Sequence, residues 1–182
     1  MHALRWILGF VVAIGASTYP CPARAQAPML TPIEYRPMYI LCIGPHFGAV
    51  FEWQKPVLGQ IGAELTLNRH RHSPDFKETT WIWGGFLQVG AVGLERARVA
   101  FGPQLSYSVL GAEIGPVLET NTETRAAHTG LHIAPYASLG IVSFSVQVDI
   151  PILSLSEGQR PGVSVGLTGT LKIPMPLSEG RL

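Results

Sequence analysis

From residue 38 onward the hydrophobicity of this chain alternates with a period of two, which constrains its fold more than any other feature of its 182 residues. Successive side chains on a strand point to opposite faces, so this period marks strands with two chemically different faces. Eight segments carry the pattern: 38–53, 57–68, 79–91, 96–108, 110–119, 130–139, 142–152 and 163–173. In the fourth, Ala97, Val99, Phe101, Pro103, Leu105 and Tyr107 oppose Arg96, Arg98, Ala100, Gly102, Gln104 and Ser106 without exception. The phase slips by one residue at Val109-Leu110 and at Gly140-Ile141, which predicts tight turns there. Longer polar connections are expected at 69–78, 121–128 and 153–162. The chain reads as all-β, an antiparallel up-and-down barrel of about eight strands.

The chemistry of the two faces predicts which one points inward. Every charged strand residue lies on the polar face: Glu52, Glu64, Arg96, Arg98, Glu113, Glu119, Asp149 and Lys172. That face is otherwise rich in glycine, serine and threonine, with Lys172 its one lysine. A solvated sheet surface carries more charge and less glycine, because glycine weakens a strand interior. The inside of an eight-stranded barrel is narrow, and small residues suit it. The polar face is therefore expected inside and the apolar face outside. Charged residues make up 14% of the chain, against roughly 25% in ordinary soluble domains. Past residue 27 no segment is apolar for the roughly 20 residues that a membrane-spanning helix needs. Both features fit a transmembrane β-barrel, in which charge on the lipid side is costly.

The first residues read as an export signal. Arg5 precedes an apolar run from Trp6 to Ala16, Pro20 and Pro22 end any helix, and Ala25-Gln26-Ala27 is a small-x-small cleavage site. The expected organisation is a signal peptide at 1–27 cleaved near Ala27, a lead-in at 28–37, the barrel at 38–174 and a tail at 175–182. Cleavage removes Arg5, Arg24 and Cys21, leaving 11 basic and 12 acidic residues and the single cysteine Cys42. One cysteine builds no internal disulfide, and a near-neutral chain without a basic stripe gives no reason to expect a nucleic-acid partner.

In strand pattern, segment count and export signal the chain resembles the small eight-stranded outer-membrane barrels, the class of the OmpA transmembrane domain and OmpX, over residues 38–174. The resemblance implies a cell outer membrane location in a Gram-negative-type bacterium. It also implies outer-membrane lipids, lipopolysaccharide and the barrel-assembly machinery as partners. A structural, adhesive or envelope-integrity role with a largely filled lumen follows. The chain departs from the class at 69–78, a long connection whose parity groups it with the short turns.

The candidate site residues follow from the faces. Glu52, Glu64, Arg96, Arg98, Glu113, Glu119, Asp149 and Lys172 form the expected lumen ion network, with Arg96 and Arg98 opposite Glu113 and Glu119. His46 and His132 are the weak catalytic candidates; no nucleophile motif accompanies them. They carry the alternative of an outer-membrane lipid-modifying enzyme of the lipid A deacylase or acyltransferase type. A second alternative is a soluble periplasmic lipocalin-like barrel binding an apolar ligand. Arg69 and Arg71 are candidate lipopolysaccharide contacts. No ligand spacing points to a metal, and no cofactor is expected. Four small residues precede prolines in mid-strand, Gly44-Pro45, Gly102-Pro103, Gly115-Pro116 and Ala134-Pro135, and bulges or kinks are expected there.

Overall fold

Two two-residue turns set the phase of the wall. In the computed structural model Tyr107 pairs with Leu110 across Ser108-Val109, and Leu139 pairs with Val142 across Gly140-Ile141. Ser108 and Gly140, each first in its turn, have φ of 57° and 65°. A positive φ at that position matches the twist of the flanking strands. The structure describes residues 37–53, 55–71, 81–120, 127–155 and 161–177. The expected signal peptide, nearly all of the lead-in, and residues 178–182 lie outside the described residues, as do 72–80, 121–126 and 156–160.

The strands are β1 (Pro37–Glu52), β2 (Leu58–Arg71), β3 (Trp81–Val92), β4 (Arg96–Tyr107), β5 (Leu110–Glu119), β6 (His128–Leu139), β7 (Val142–Ser154), β8 (Ser164–Leu171) and β9 (Ile173–Leu177). Each pairs antiparallel with the next up to β8, and β1 pairs with β2 on one side and with β8 and β9 on the other, closing the sheet. His46 pairs with Thr170 and Ile43 with Ile173, so β9 continues the register of β8 and only Lys172 separates them. The wall is an eight-stranded barrel whose last strand comes in two pieces.

The stagger is read by following partners once around. Leu41, Leu67, Gly85 and Pro103 lead across β1 to β4, and the register carries on through Ile114, Ile133, Val148 and Val165 to Phe51. The circuit returns to β1 ten residues beyond Leu41. With about 3.3 Å per residue and about 4.8 Å between strands, that stagger tilts the strands by about 40°.

Polarity is inverted relative to a water-soluble domain. Among the described residues the buried hydrophobic side chains are Val50, Phe86, Val92, Ala100, Val117 and Ala134, while the buried polar and charged ones are far more numerous. Outside, Phe47, Ile61, Leu87, Phe101, Phe144 and Leu167 stand exposed on a continuous apolar belt. Trp53, Trp81, Trp83 and Tyr107 are exposed near the strand ends, with the rings of Trp81 and Tyr107 tilted against each other at 4.8 Å between centroids. No described helix is long and apolar enough to cross a membrane, which says nothing of a barrel that crosses with strands.

Three local expectations are corrected. The proline steps do not shift the register: among the described residues the one shift lies at Thr129/Gly130. Instead they interrupt the ladder, because proline lacks an N–H. Pairing lapses between Ala100 and Gln104 on β4, between Ile133 and Tyr136 on β6, and beside Gly44-Pro45 where β8 gives way to β9. Next, β2 runs on through Arg71, so Arg69 and Arg71 belong to a strand and not to the polar connection. Finally β6 starts at His128, two residues before the expected boundary, and His128 is a lumen residue instead of part of a loop.

Candidate functional site in the lumen

All eight predicted lumen residues face inward, and seven of them are buried; Lys172 is partly exposed. Strand phase alone places them there, since each occupies the same parity as its polar neighbours. Their partners form two hydrogen-bonded systems that meet at one glutamine.

The first system centres on Arg98, which is 2% exposed. Its Nε donates to Asp149 Oδ2 at 3.0 Å and its Nη2 to Asp149 Oδ1 at 3.1 Å, a two-pronged pair spanning the lumen from β4 to β7. His132 Nδ1 lies 2.6 Å from the same Oδ1, so we place a proton on Nδ1 that is donated to the carboxylate. His132 Nε2 then stands 4.0 Å from Glu113 Oε2. Toward the rim, Arg96 Nη1 donates to Glu52 Oε1 at 2.8 Å and to Glu119 Oε2 at 3.3 Å. Lys55 reaches back to Glu52 Oε2 at 3.1 Å, and Arg98 Nε lies 3.9 Å from Glu119 Oε1.

The second system is a one-way chain of donors. Gln147 Nε2 donates to Gln60 Oε1 at 2.5 Å, and Gln60 Nε2 to His46 Nε2 at 2.9 Å. His46 Nδ1 donates to Thr170 Oγ1 at 3.2 Å, and the Thr170 hydroxyl to Glu64 Oε2 at 3.0 Å. Lys172 pairs with Glu64 Oε1 and sits 5.5 Å from the centroid of the Tyr136 ring. With each donor and acceptor assigned, His46 is a neutral link holding both ring nitrogens in hydrogen bonds.

Gln88 joins the two. Its Nε2 donates to Glu64 Oε2 at 3.3 Å and to Glu113 Oε2 at 3.0 Å, and its Oε1 accepts from Arg98 Nη1 at 3.2 Å. The expected pairing of Arg96 and Arg98 with Glu119 is present. Their expected pairing with Glu113 is replaced by Gln88 and His132, and among the described residues no arginine or lysine lies within 4.0 Å of Glu113. A small apolar patch, Phe86 with Ala100 and Val117, packs beside the network, and the Phe86 ring lies 5.6 Å from that of His132.

Strand phase puts Gln60, Gln88, Gln147 and Thr170 on the polar face, although the sequence analysis gave them no role. Their signal was strand phase: a long amide facing a lumen that holds charges of both signs must bond to them. The two histidines are sealed in the wall's interior, where His132 Nδ1 donates to Asp149 and the Arg98 guanidinium lies 2.9 Å from the same ring nitrogen. Arg69 is exposed on β2, its guanidinium 5.5 Å from the Trp83 ring centroid. The side chain of Arg71 lies outside the described residues. No group of three His, Cys, Asp or Glu that could hold a metal occurs among the described residues.

An eight-stranded antiparallel barrel with a polar, hydrogen-bonded interior is the class that fold and site define. No protein-family model matches the chain, and no curated protein matches it in sequence.

Proposed function

We propose that this protein spans the bacterial outer membrane as a β-barrel whose lumen is plugged by paired charges, and that it serves a structural, adhesive or envelope-integrity role. One observation carries the reading: the apolar residues form the outer surface and the charged residues form the core. In water that arrangement would expose a large apolar belt and bury ions at high cost. In a bilayer the belt meets hydrocarbon, and closure of the sheet satisfies backbone groups that lipid cannot.

The same observation weighs against the rival readings. A lipocalin-like barrel holds its apolar ligand in an apolar interior, whereas this interior is lined by Arg98, Asp149, Glu64 and glutamines. A lipid-modifying enzyme needs its base beside a nucleophile that lipid can reach, and His46 and His132 are fixed within the plug. Barrels of this kind carry short turns on the periplasmic side and longer loops outside. Ser108-Val109 and Gly140-Ile141 share one rim with the beginning of β1 and the end of β9, so that rim is assigned to the periplasm. Arg69 and Trp83 then meet the periplasmic headgroup layer, and lipopolysaccharide contacts fall to the opposite rim, where Lys55 is exposed.

Fractionation tests the reading. The protein is expected in the outer-membrane fraction, with heat-dependent migration on a detergent gel. Recovery from the periplasm without detergent would eliminate the proposal.

A further inference from the structure

The last strand of the wall is paired along one edge. β9 (Ile173–Leu177) pairs with β1, and among the described residues no strand pairs with its other edge. β7 would lie there, but it starts at Val142 opposite Leu171, so the Gly140-Ile141 turn ends it before β9 begins. Ile173, Met175 and Leu177 stand exposed along the strand. An open, apolar edge is a template for strand addition, because free backbone N–H and C=O groups bind another extended chain.

This edge has no donors to offer. In an antiparallel ladder the backbone groups of alternate residues point to opposite edges. Lys172 sets the phase: its N–H donates to Ile141 O at 2.6 Å, on the β7 side. His46↔Thr170 and Ile43↔Ile173 lie on one register, so the phase passes through Lys172 unchanged. Residues 174 and 176 therefore turn their nitrogens to the same side as Lys172, and both are proline. Ile173, Met175 and Leu177 turn their N–H groups to β1 and hold the ladder there. Shifted by one residue, the same two prolines would face β1 and open that ladder, as Pro103 and Pro135 do within β4 and β6. We propose that Pro174 and Pro176 bar strand addition at this edge and keep the barrel from pairing there with a second copy of itself. The device works in water and in lipid alike, because it removes the donors themselves.

The test restores the donors. The whole protein in detergent micelles is compared with its Pro174→Val, Pro176→Val double variant by sedimentation velocity, both also carrying Cys42→Ser and Met175→Cys. Two valine edges pairing symmetrically would set position 174 against 176 of the other copy and 175 against 175. The latter is a wide pair with Cα atoms about 4.5 Å apart, within disulfide reach. The expected result is a monomer when the prolines are present. The valine variant should form a dimer whose oxidative cross-link through position 175 is severalfold enriched. A folded valine variant that stays monomeric overturns the proposal. So does association without that cross-link, or a proline-bearing protein that already cross-links there. Amide hydrogen exchange in the unsubstituted protein decides the matter where the valine variant does not fold. Ile173 and Met175 should exchange severalfold more slowly than in the unfolded chain, and exchange as fast as in that chain would show that their donors do not face β1, which overturns the proposal.

Discussion

Arg98 on β4 and Asp149 on β7 meet across the lumen through two parallel hydrogen bonds of 3.0 and 3.1 Å. They are three strands apart in the wall, so their pair braces the barrel from the inside. Leucine at Arg98 would take from buried Asp149 its guanidinium partner, while His132 stays beside Asp149 and Glu119 keeps Arg96. Removing one member of such a pair costs about 3–5 kcal/mol, whereas replacing both members by apolar groups is often neutral. Arg98→Leu should therefore lower the urea midpoint of the reconstituted barrel strongly, and Arg98→Leu with Asp149→Leu should recover most of the loss. A single variant as stable as wild type would show that the pair contributes nothing.

Glu113 gives the opposite expectation from the same physics. Its contacts are Gln88 at 3.0 Å and His132 at 4.0 Å, with no arginine or lysine within 4.0 Å among the described residues. Glu113→Gln replaces a buried carboxyl that lacks a strong counter-ion and keeps an acceptor for Gln88. The change should be within about 1 kcal/mol of neutral or a gain, while Asp149→Asn should cost about 3–5 kcal/mol. Equal losses in the two variants, measured by the same urea titration, would mean that the lumen is held by shape and not by charge pairing.

The apolar belt yields a prediction about depth. Leu87 pairs with Leu65 and Phe101 near the middle of all three strands and faces outward. Leu87→Arg should destabilise the inserted barrel by about 2–4 kcal/mol, the cost of arginine near the bilayer midplane. The same change at Val57, exposed beside the rim, should cost about 0–1 kcal/mol. The ratio of the two effects in a vesicle-refolding titration is the readout, and similar small costs at both positions would place the belt in water.

A filled lumen predicts little or no ionic conductance. Arg96, Arg98, Gln88 and Gln147 are all nearly or fully buried, and an eight-stranded barrel is only wide enough for its own side chains. Planar-bilayer recordings should show no discrete channel steps in wild type. Regular openings under moderate voltage would show that the network parts readily.

Much of this architecture was legible because period-two alternation reports strand phase directly. The phase slips at Val109-Leu110 and Gly140-Ile141 located the tight turns, the first to within one residue and the second outright, and β5 begins and ends where the pattern does. The inward direction of Arg98 and Glu64 followed from parity alone. What parity does not contain is azimuth. Asp149 meets Arg98 from three strands away, and Gln88 ties Glu64 to Glu113, because a stagger of ten residues around the wall brings those rungs together. Local pattern carries no information about that stagger. The proline steps were visible, but whether they bend a strand or merely open the ladder depends on the neighbouring strand.

The seam where the barrel closes gives the sharpest steric test. Gly44 on β1 lies where the last strand breaks at Lys172, and a Cβ there would overlap the carbonyl oxygen of Leu171. The absence of a side chain lets β1 and β8 approach while Lys172 turns inward to Glu64. Gly44→Ala should force the strands apart and cost about 1–3 kcal/mol, the usual range for overpacking. Gly59 on β2 is the control, since an added Cβ meets nothing within 4 Å and its φ is not positive. Gly59→Ala should be neutral or stabilise by about 0.4–1 kcal/mol through the unfolded chain. Equal stabilities for the two alanine variants would mean that close approach at the seam is not what requires glycine at position 44.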